Sequence, residues 1–369
     1  MNAVPSEIIL AIAEHLQPVT HRSTLLSLCL VDKKSYQLAK LYLYRHVELN
    51  SHGAIVKFCR TLTVLRPHNA IYVVTLCVYP LAWRSGARSS DHIRKDIVPD
   101  LRSVLKVVLN LKHLFLSVTR KALVLLLVDL HPTFKLHTLA HSGDMSGPLL
   151  KFLDNQPSLV NHGWYGLPSW SMCRSIQGTM NQDGRFLAKL RAATGPANFL
   201  AALMLSRPLD SVTILIRTWR CKSPSSPDSE CLWPKEIMGW TKFMYGAYRG
   251  GLKLMPPCDS LREICIAETP LKLKRPGSGY VNIKNYMRAY LQSLLHRFDR
   301  IERLEVVCLQ PLPHGATAFT IHPWLLDMND MSAWIQLGPS LKYVSIYGHV
   351  IPRVPHHDHK DNFIVHDTT

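Results

Sequence analysis

The chain has 369 residues, of which 47% are hydrophobic and 19% are charged, and its formal net charge is +17. This length allows one large domain or two modest ones, and so high a hydrophobic fraction excludes an intrinsically disordered chain. The positive charge predicts attraction to an acidic protein, a nucleic acid or a membrane surface. The Lys and Arg residues are dispersed, without a block of five or six, which is more typical of a solvated surface than of a phosphate-binding track.

Residues 4–49 predict two or three short amphipathic helices followed by a strand. Ser6 and Glu7 are expected to open the first helix, Ser23 and Thr24 offer N-caps for the second, and Asp32 begins a third. The strand is then expected to begin with Leu43, Val47 and Leu49. A unit this small cannot bury all of its apolar side chains, so the pattern predicts a partner for some of them.

The order of residues in this stretch resembles an F-box. The resemblance lies in Val4-Pro5-x-Glu7-Ile8-Ile9, then Ile12 and Leu16, then Leu25-Leu26-x-Leu28-x-Leu30-Val31. The run from Tyr42 to Leu49 is similar to fungal, basidiomycete-like F-box proteins in particular. Val4 stands where Leu is usual before the proline, and Tyr36 stands where Trp is usual, but both positions keep an apolar anchor.

After Leu49 a spaced triplet of apolar residues returns nine times, and its last two positions alternate as in a strand. Three triplets are imperfect because they contain His141, His162 and Ala192. The triplets are Ile71-Val74-Leu76, Leu111-Leu114-Leu116, Leu136-Leu139-His141, Leu159-His162-Trp164, Leu187-Leu190-Ala192, Leu209-Val212-Ile214, Leu261-Ile264-Ile266, Ile301-Leu304-Val306 and Leu341-Val344-Ile346.

The spacing of the triplets predicts an irregular solenoid. Between Leu111 and Leu209 the intervals are 25, 23, 28 and 22 residues, within the roughly 20 to 29 residues of leucine-rich repeats. Elsewhere they lengthen to 40, 52, 40 and 40 residues, enough for a helix and a loop, and most intervening segments have a helical apolar period. A compact α/β domain is the alternative, but the chain lacks the Gly-rich strand-to-helix turn of a dinucleotide or phosphate site.

The predicted fold class is therefore α/β, with an N-terminal helical F-box followed by an irregular leucine-rich-repeat-like solenoid with a parallel sheet. The predicted divisions are an F-box domain at 1–46, the solenoid at 47–351 and a His-rich, disordered tail at 352–369. Segments 152–159 and 207–212 also resemble the repeat joints of fungal F-box proteins. In segment 220–234, Ser223 and Ser226 precede prolines, so this stretch is either a phosphorylation site or an ordinary mobile insertion.

Enzymatic signatures are missing from the sequence, which predicts a non-catalytic protein without cofactor or metal. The chain contains no His-Glu-x-x-His, no Cys-x-x-Cys and no Gly-x-Ser-x-Gly motif, and Pro276-Gly277-Ser278-Gly279 is typical of a turn. Nine irregularly spaced cysteines predict reduced, mostly buried thiols. The most apolar run, 122–128, is far shorter than the roughly 20 residues that cross a bilayer. With no signal peptide expected either, we expect a cytoplasmic or nuclear protein.

The F-box resemblance implies the substrate-recognition subunit of a Skp-cullin-F-box ubiquitin ligase. It would dock on a Skp-type adaptor and through it on a cullin, and the repeat surface would hold a target protein, for which the positive charge of the chain favours an acidic one. Two alternatives remain open: a scaffold that acts outside a ligase, and a basic repeat protein that binds nucleic acid or another polyanion. The positions that match the apolar places of the motif are the expected adaptor-binding residues: Pro5, Ile8, Ile9, Ile12, Leu16, Leu25, Leu26, Leu28 and Val31.

Overall fold

The computed structural model describes residues 4–16, 21–79, 95–143, 145–166, 170–216, 255, 258–268, 291–308, 317–318 and 323–352. The predicted insertion at 220–234, the turn at 276–279 and all but the first residue of the predicted tail lie outside these ranges. The described residues form an α/β structure around one eleven-stranded sheet, which confirms the predicted class and the predicted parallel sheet. None of the helices in these ranges has the length and apolar character needed to span a membrane.

The strands follow one another across the sheet in the order of the sequence. Strands β1 to β10 are all parallel to their neighbours, and β11 pairs antiparallel with β10. The strands are β1 His46–Leu49, β2 Thr75–Val78, β3 His113–Leu116, β4 Thr138–His141, β5 Asn161–Trp164, β6 Ala192–Gly195, β7 Ser211–Ile216, β8 Glu263–Glu268, β9 Arg303–Cys308, β10 Tyr343–Ile346 and β11 His349–Val350.

Helices precede the first strand and occupy many of the connections between strands. The N-terminal helices are α1 Ser6–His15, α2 Arg22–Val31 and α3 Lys33–Arg45. The later α-helices are His52–Arg60, Val98–Val107, Arg120–Leu127, Gly147–Asp154, Trp170–Gln182, Ala197–Met204, a segment at 291–297, and Met331–Leu337. A π-helix spans Thr61–Leu65, and 3-10 helices span Pro67–Tyr72, Lys95–Ile97 and Pro323–Met328.

The three predicted N-terminal helices are present, with two changes at their ends. Asp32 caps α3 as predicted, because its Oδ1 accepts a hydrogen bond from the Ser35 backbone N–H at 2.7 Å. Helix α2 begins at Arg22, before the predicted caps, and His21 at its N-cap makes no side-chain capping bond. The prediction that Leu43 begins the strand is wrong, since α3 continues to Arg45 and β1 starts at His46.

Two rows of side chains run across the sheet and join the buried helix residues in one core. Both rows are buried along their length. The first row is Val47, Leu76, Leu114, Leu139, His162, Ala193, Val212, Ile264, Leu304 and Val344, and the second, two residues further along each strand, is Leu49, Val78, Leu116, His141, Trp164, Gly195, Ile214, Ile266, Val306 and Ile346.

Seven of the nine predicted triplets have their last two residues in these rows, and two predictions are wrong in register. In β2 the buried triplet is Val73-Leu76-Val78, because Ile71 is 41% exposed at the end of a 3-10 helix. In β6 it is Leu190-Ala193-Gly195, since Leu187 lies in a turn with φ of 55° and Ala192 points away from the core rows. The unit from Leu159 to Leu190 then has 31 residues and the next has 19, so the spacing is less regular than predicted.

Candidate functional site

The three N-terminal helices form a small unit in which α3 packs against both α1 and α2. Ile9 and Ala13 of α1, Leu25 of α2 and Ala39 of α3 are buried. Ile9 and Leu25 therefore stabilise this unit from the inside. The two residues belong to the set predicted to contact an adaptor, and in this structure both lie in the interior of the helical unit.

Most of the remaining predicted contact residues lie on the surface. Ile8 is 51% exposed, Leu26 45% and Val31 68%, and Pro5 and Ile12 are also exposed. Leu16 and Leu28 are half-buried. Moving exposed apolar side chains out of water is favourable, so a partner that covered them would gain free energy of binding. Helices α1 and α2 each present such an exposed apolar strip.

Three further apolar residues of this surface, Val4, Leu10 and Leu30, were outside the predicted contact set. Leu30 is the most exposed of them, at 85%. It lies four residues after Leu26 on α2, and residues at i and i+4 share a helix face. That spacing is the signal by which Leu30 could have been found from the sequence.

Helix α3 also contacts the segment that precedes β2. The Lys40 ammonium is buried between the rings of Tyr36 and Tyr72, 5.6 Å from each centroid. The Arg66 guanidinium lies over the Tyr36 ring and donates a hydrogen bond to its hydroxyl. These cation–π contacts connect α3 to the segment before β2 and hold the helical unit in place while the strips on α1 and α2 stay exposed.

On the face of the sheet opposite the core rows, the outward row formed by the first residue of each strand is mostly polar. In the middle of the sheet, His113 Nδ1 lies 3.0 Å from Thr138 Oγ1, which also accepts a hydrogen bond from Asn161 at 3.3 Å. Burial, assisted by nearby His137 and Lys112, lowers the pKa of His113, so its ring is neutral at pH 7. The outward row consists of His46, Thr75, His113, Thr138, Asn161, Ala192, Ser211, Glu263, Arg303 and Tyr343, all half-buried or exposed.

A groove of about 460 Å³ opens where α3 and the 3-10 helix Pro67–Tyr72 meet the starts of the first strands. Arg45 and Lys112 supply two cations, and Ile71 supplies exposed apolar surface. This combination suits an acidic segment that carries an apolar side chain. The groove is lined by Leu41, Arg45, Ile71, Tyr72, Val74, Asn110 and Lys112.

A scan of the sequence against protein-family models found no match, and a search of curated proteins found none. The functional assignment therefore depends on the exposed strips, the polar sheet face and the motif resemblance of residues 4–49.

Proposed function

We propose that the protein is a substrate-recognition subunit of a Skp-cullin-F-box ubiquitin ligase. The observation that carries the proposal is the pair of exposed apolar strips on α1 and α2, at positions that match the apolar places of the F-box pattern. In this proposal the strips dock on a Skp-type adaptor, and ubiquitin transfer takes place on another component of the assembly. No catalytic role is assigned to this chain.

The arrangement of the sheet supports the second half of the proposal, an irregular leucine-rich-repeat-like solenoid. Ten parallel strands in sequence order, most connected through helices, are what stacked strand–helix units produce. Such stacking leaves one sheet face without helices, and here the first outward row of that face is mostly polar. The target protein would bind this face, and an acidic segment of it would fit the groove between Arg45 and Lys112.

The expected adaptor affinity depends on a few side chains. Burying a large apolar side chain completely contributes about 1.5 to 3 kcal/mol, so covering Ile8, Ile12, Leu26 and Leu30, which are partly buried already, gains roughly 3 to 7 kcal/mol. Association costs roughly 4 to 15 kcal/mol. Because the gain and the cost are of similar size, one disruptive substitution in a strip should remove most of the binding.

Leu26→Asp is expected to weaken binding to a recombinant Skp-type adaptor at least about 30-fold, the effect of losing a contact worth about 2 kcal/mol. Leu26 is exposed in the isolated chain, so its thermal unfolding should change little. Isothermal titration calorimetry measures the affinity, and circular dichroism measures the unfolding. Leu205→Asp is the matched control, because Leu205 is similarly exposed, at 54%, outside the helical unit. Full adaptor affinity in folded Leu26→Asp would contradict the proposal.

The charge of +17 favours a second candidate function, the binding of nucleic acid or another polyanion. The sheet face gives it little support, since Glu48, Glu263 and Glu305 lie on that face beside Arg303. Phosphate binding predicts an affinity that falls steeply with salt, so a titration with a fluorescent oligonucleotide at low and moderate salt tests it. Purified complexes that contain adaptor without cullin would instead indicate a scaffold outside a ligase.

A further inference from the structure

We propose that His46, Glu48 and Cys77 form a binding site for a divalent transition metal of the Zn²⁺ class. His46 and Glu48 are two residues apart in β1 and therefore project from the same sheet face. Cys77 in β2 is the register partner of Glu48. Among the described residues, this is the group in which three or more His, Cys, Asp or Glu side chains could share an ion.

The distances between the donor atoms suit one ion. His46 Nε2 lies 3.4 Å from Glu48 Oε1, and one ligand atom from each of the three residues lies within 4.8 Å of the others. Zinc bonds of about 2.0 to 2.3 Å at tetrahedral angles separate ligand atoms by roughly 3.3 to 3.8 Å. The 3.4 Å separation already falls in that range, and any pair that is wider, up to 4.8 Å, would have to close by about 1 Å when an ion binds.

The donor set determines which ions fit. An imidazole nitrogen, a thiolate and a carboxylate oxygen are ligands of Zn²⁺ and related borderline ions, whereas Mg²⁺ and Ca²⁺ prefer oxygen alone. Three protein ligands leave a fourth position for water or for a side chain of a bound protein. His46 and Glu48 are partly exposed, so solvent reaches their side of the cluster, whereas Cys77 is buried.

The Cys77 thiol must lose its proton when the ion binds. Burial raises the pKa of Cys77 to about 11, against a smaller lowering by a hydrogen bond with the Tyr79 side chain and with a still smaller rise from the Glu48 carboxylate, so the thiol is protonated at neutral pH without an ion. An ion coordinated by the sulfur displaces that proton. The affinity is therefore expected to rise with pH.

The opposite end of the sheet provides a natural control. Cys265 in β8 is the register partner of Glu305 in β9, and Arg303 precedes Glu305 by two residues, as His46 precedes Glu48. Arg303 donates a hydrogen bond to Glu305 at 2.6 Å. A guanidinium has no lone pair for a metal, so this second cluster has the thiol and the carboxylate but replaces the third ligand with a competing cation.

The test is a Co²⁺ titration of the purified full-length protein, followed by competition with Zn²⁺. A tetrahedral Co²⁺–thiolate site produces visible d–d absorption and a near-ultraviolet charge-transfer band. We expect one equivalent of Co²⁺ to produce both bands and Zn²⁺ to abolish them. Cys77→Ser should remove the charge-transfer band, His46→Gln should weaken Co²⁺ binding at least tenfold, and Cys265→Ser should bind like the unmodified protein.

Three results would overturn the site. They are the absence of a charge-transfer band in the unmodified protein, a band that persists in Cys77→Ser, and a band that is lost in Cys265→Ser. Cys77 is buried, so circular dichroism must show that its variant is folded. If that variant does not fold, His46→Gln decides the question, because His46 is only half-buried and an unchanged Co²⁺ affinity would refute its role as a ligand.

Discussion

Replacing Trp164 with alanine is expected to lower the free energy of unfolding by about 3 to 5 kcal/mol, the usual range for Trp and Phe in a packed core. Trp164 is completely buried in the second core row, and its ring meets Phe199 edge-on with centroids 5.1 Å apart. The His141 ring stacks 6.2 Å away on its other side. Urea unfolding followed by far-ultraviolet circular dichroism measures the loss. Tryptophan fluorescence is less suitable, because the seven other tryptophans also contribute to the emission.

The large expected loss of unfolding free energy follows from the close packing of this part of the core. A Cβ atom added at Gly195 would lie 2.6 Å from Phe199 Cδ1 and 3.2 Å from the Trp164 carbonyl oxygen, so the glycine makes room for the Phe199 ring and for the neighbouring backbone. Leu125→Ala is the control, since Leu125 is 47% exposed and its truncation should cost far less. A loss below 1 kcal/mol for Trp164→Ala would show that the neighbouring side chains collapse into the cavity.

The fold class was predictable because the core rows follow a rule that is local in sequence. Leu111, Leu114 and Leu116 illustrate this rule. Leu111 is buried just before β3, and Leu114 and Leu116 lie in β3 with their side chains on the core face of the sheet. Where the apolar residues of a unit were unambiguous, the predicted triplet agrees with the observed register. The predicted parallel sheet then follows from repeating one strand and one connection.

The rule failed where the sequence offered two equivalent choices of triplet. Ile71-Val74-Leu76 and Val73-Leu76-Val78 are both apolar, and only the packing of the 3-10 helix before β2 leaves Ile71 outside. In β6 the core positions hold Ala193 and Gly195, whose small side chains give almost no apolar signal. At Gly195 the space that a side chain would need is taken by the Phe199 ring of the following helix, which the strand itself does not encode.

Residue spacing also predicts the candidate sites only in part. Apolar spacing identified the helical unit but could not separate buried Ile9 and Leu25 from exposed Ile8 and Leu26, because both kinds recur at helical intervals. Sequence spacing also predicts no metal site. Cys77 follows Glu48 by 29 residues, and it is the pairing of β1 with β2 that brings the two together.

A buried histidine pair at the centre of the sheet is expected to make the protein sensitive to acid. His141 and His162 are each about 1% exposed, and their Nε2 atoms lie 3.2 Å apart. His141 Nδ1 lies 3.0 Å from the Gly143 carbonyl oxygen, which can only accept, so that nitrogen bears the proton. His141 Nε2 is then an acceptor, and His162 Nε2 must donate to it. This hydrogen-bond pattern is satisfied with both rings neutral, the state that their burial favours.

The free energy of unfolding should fall as the pH drops below about 6.5. Burial lowers the pKa of His141 to about 4, and burial together with His141 lowers the pKa of His162 well below its usual value. Unfolded histidines accept protons below pH 6.5 while the buried pair does not, so protons favour the unfolded chain. The stability is fully present above pH 6.5, and His141 alone removes about 3 kcal/mol of it between pH 6.5 and pH 4.

Urea unfolding at pH 7 and at pH 4.5 measures this loss, and His162→Leu separates the pair from the other titrating groups. Leucine suits the site because the neighbouring residues of the same core row are Leu139 and Ala193. The variant removes one buried imidazole, so its free energy of unfolding should fall less between the two pH values than that of the unmodified protein. His131→Gln, at an exposed position, should retain the original pH dependence. An equally steep loss in folded His162→Leu would show that the acid sensitivity arises elsewhere.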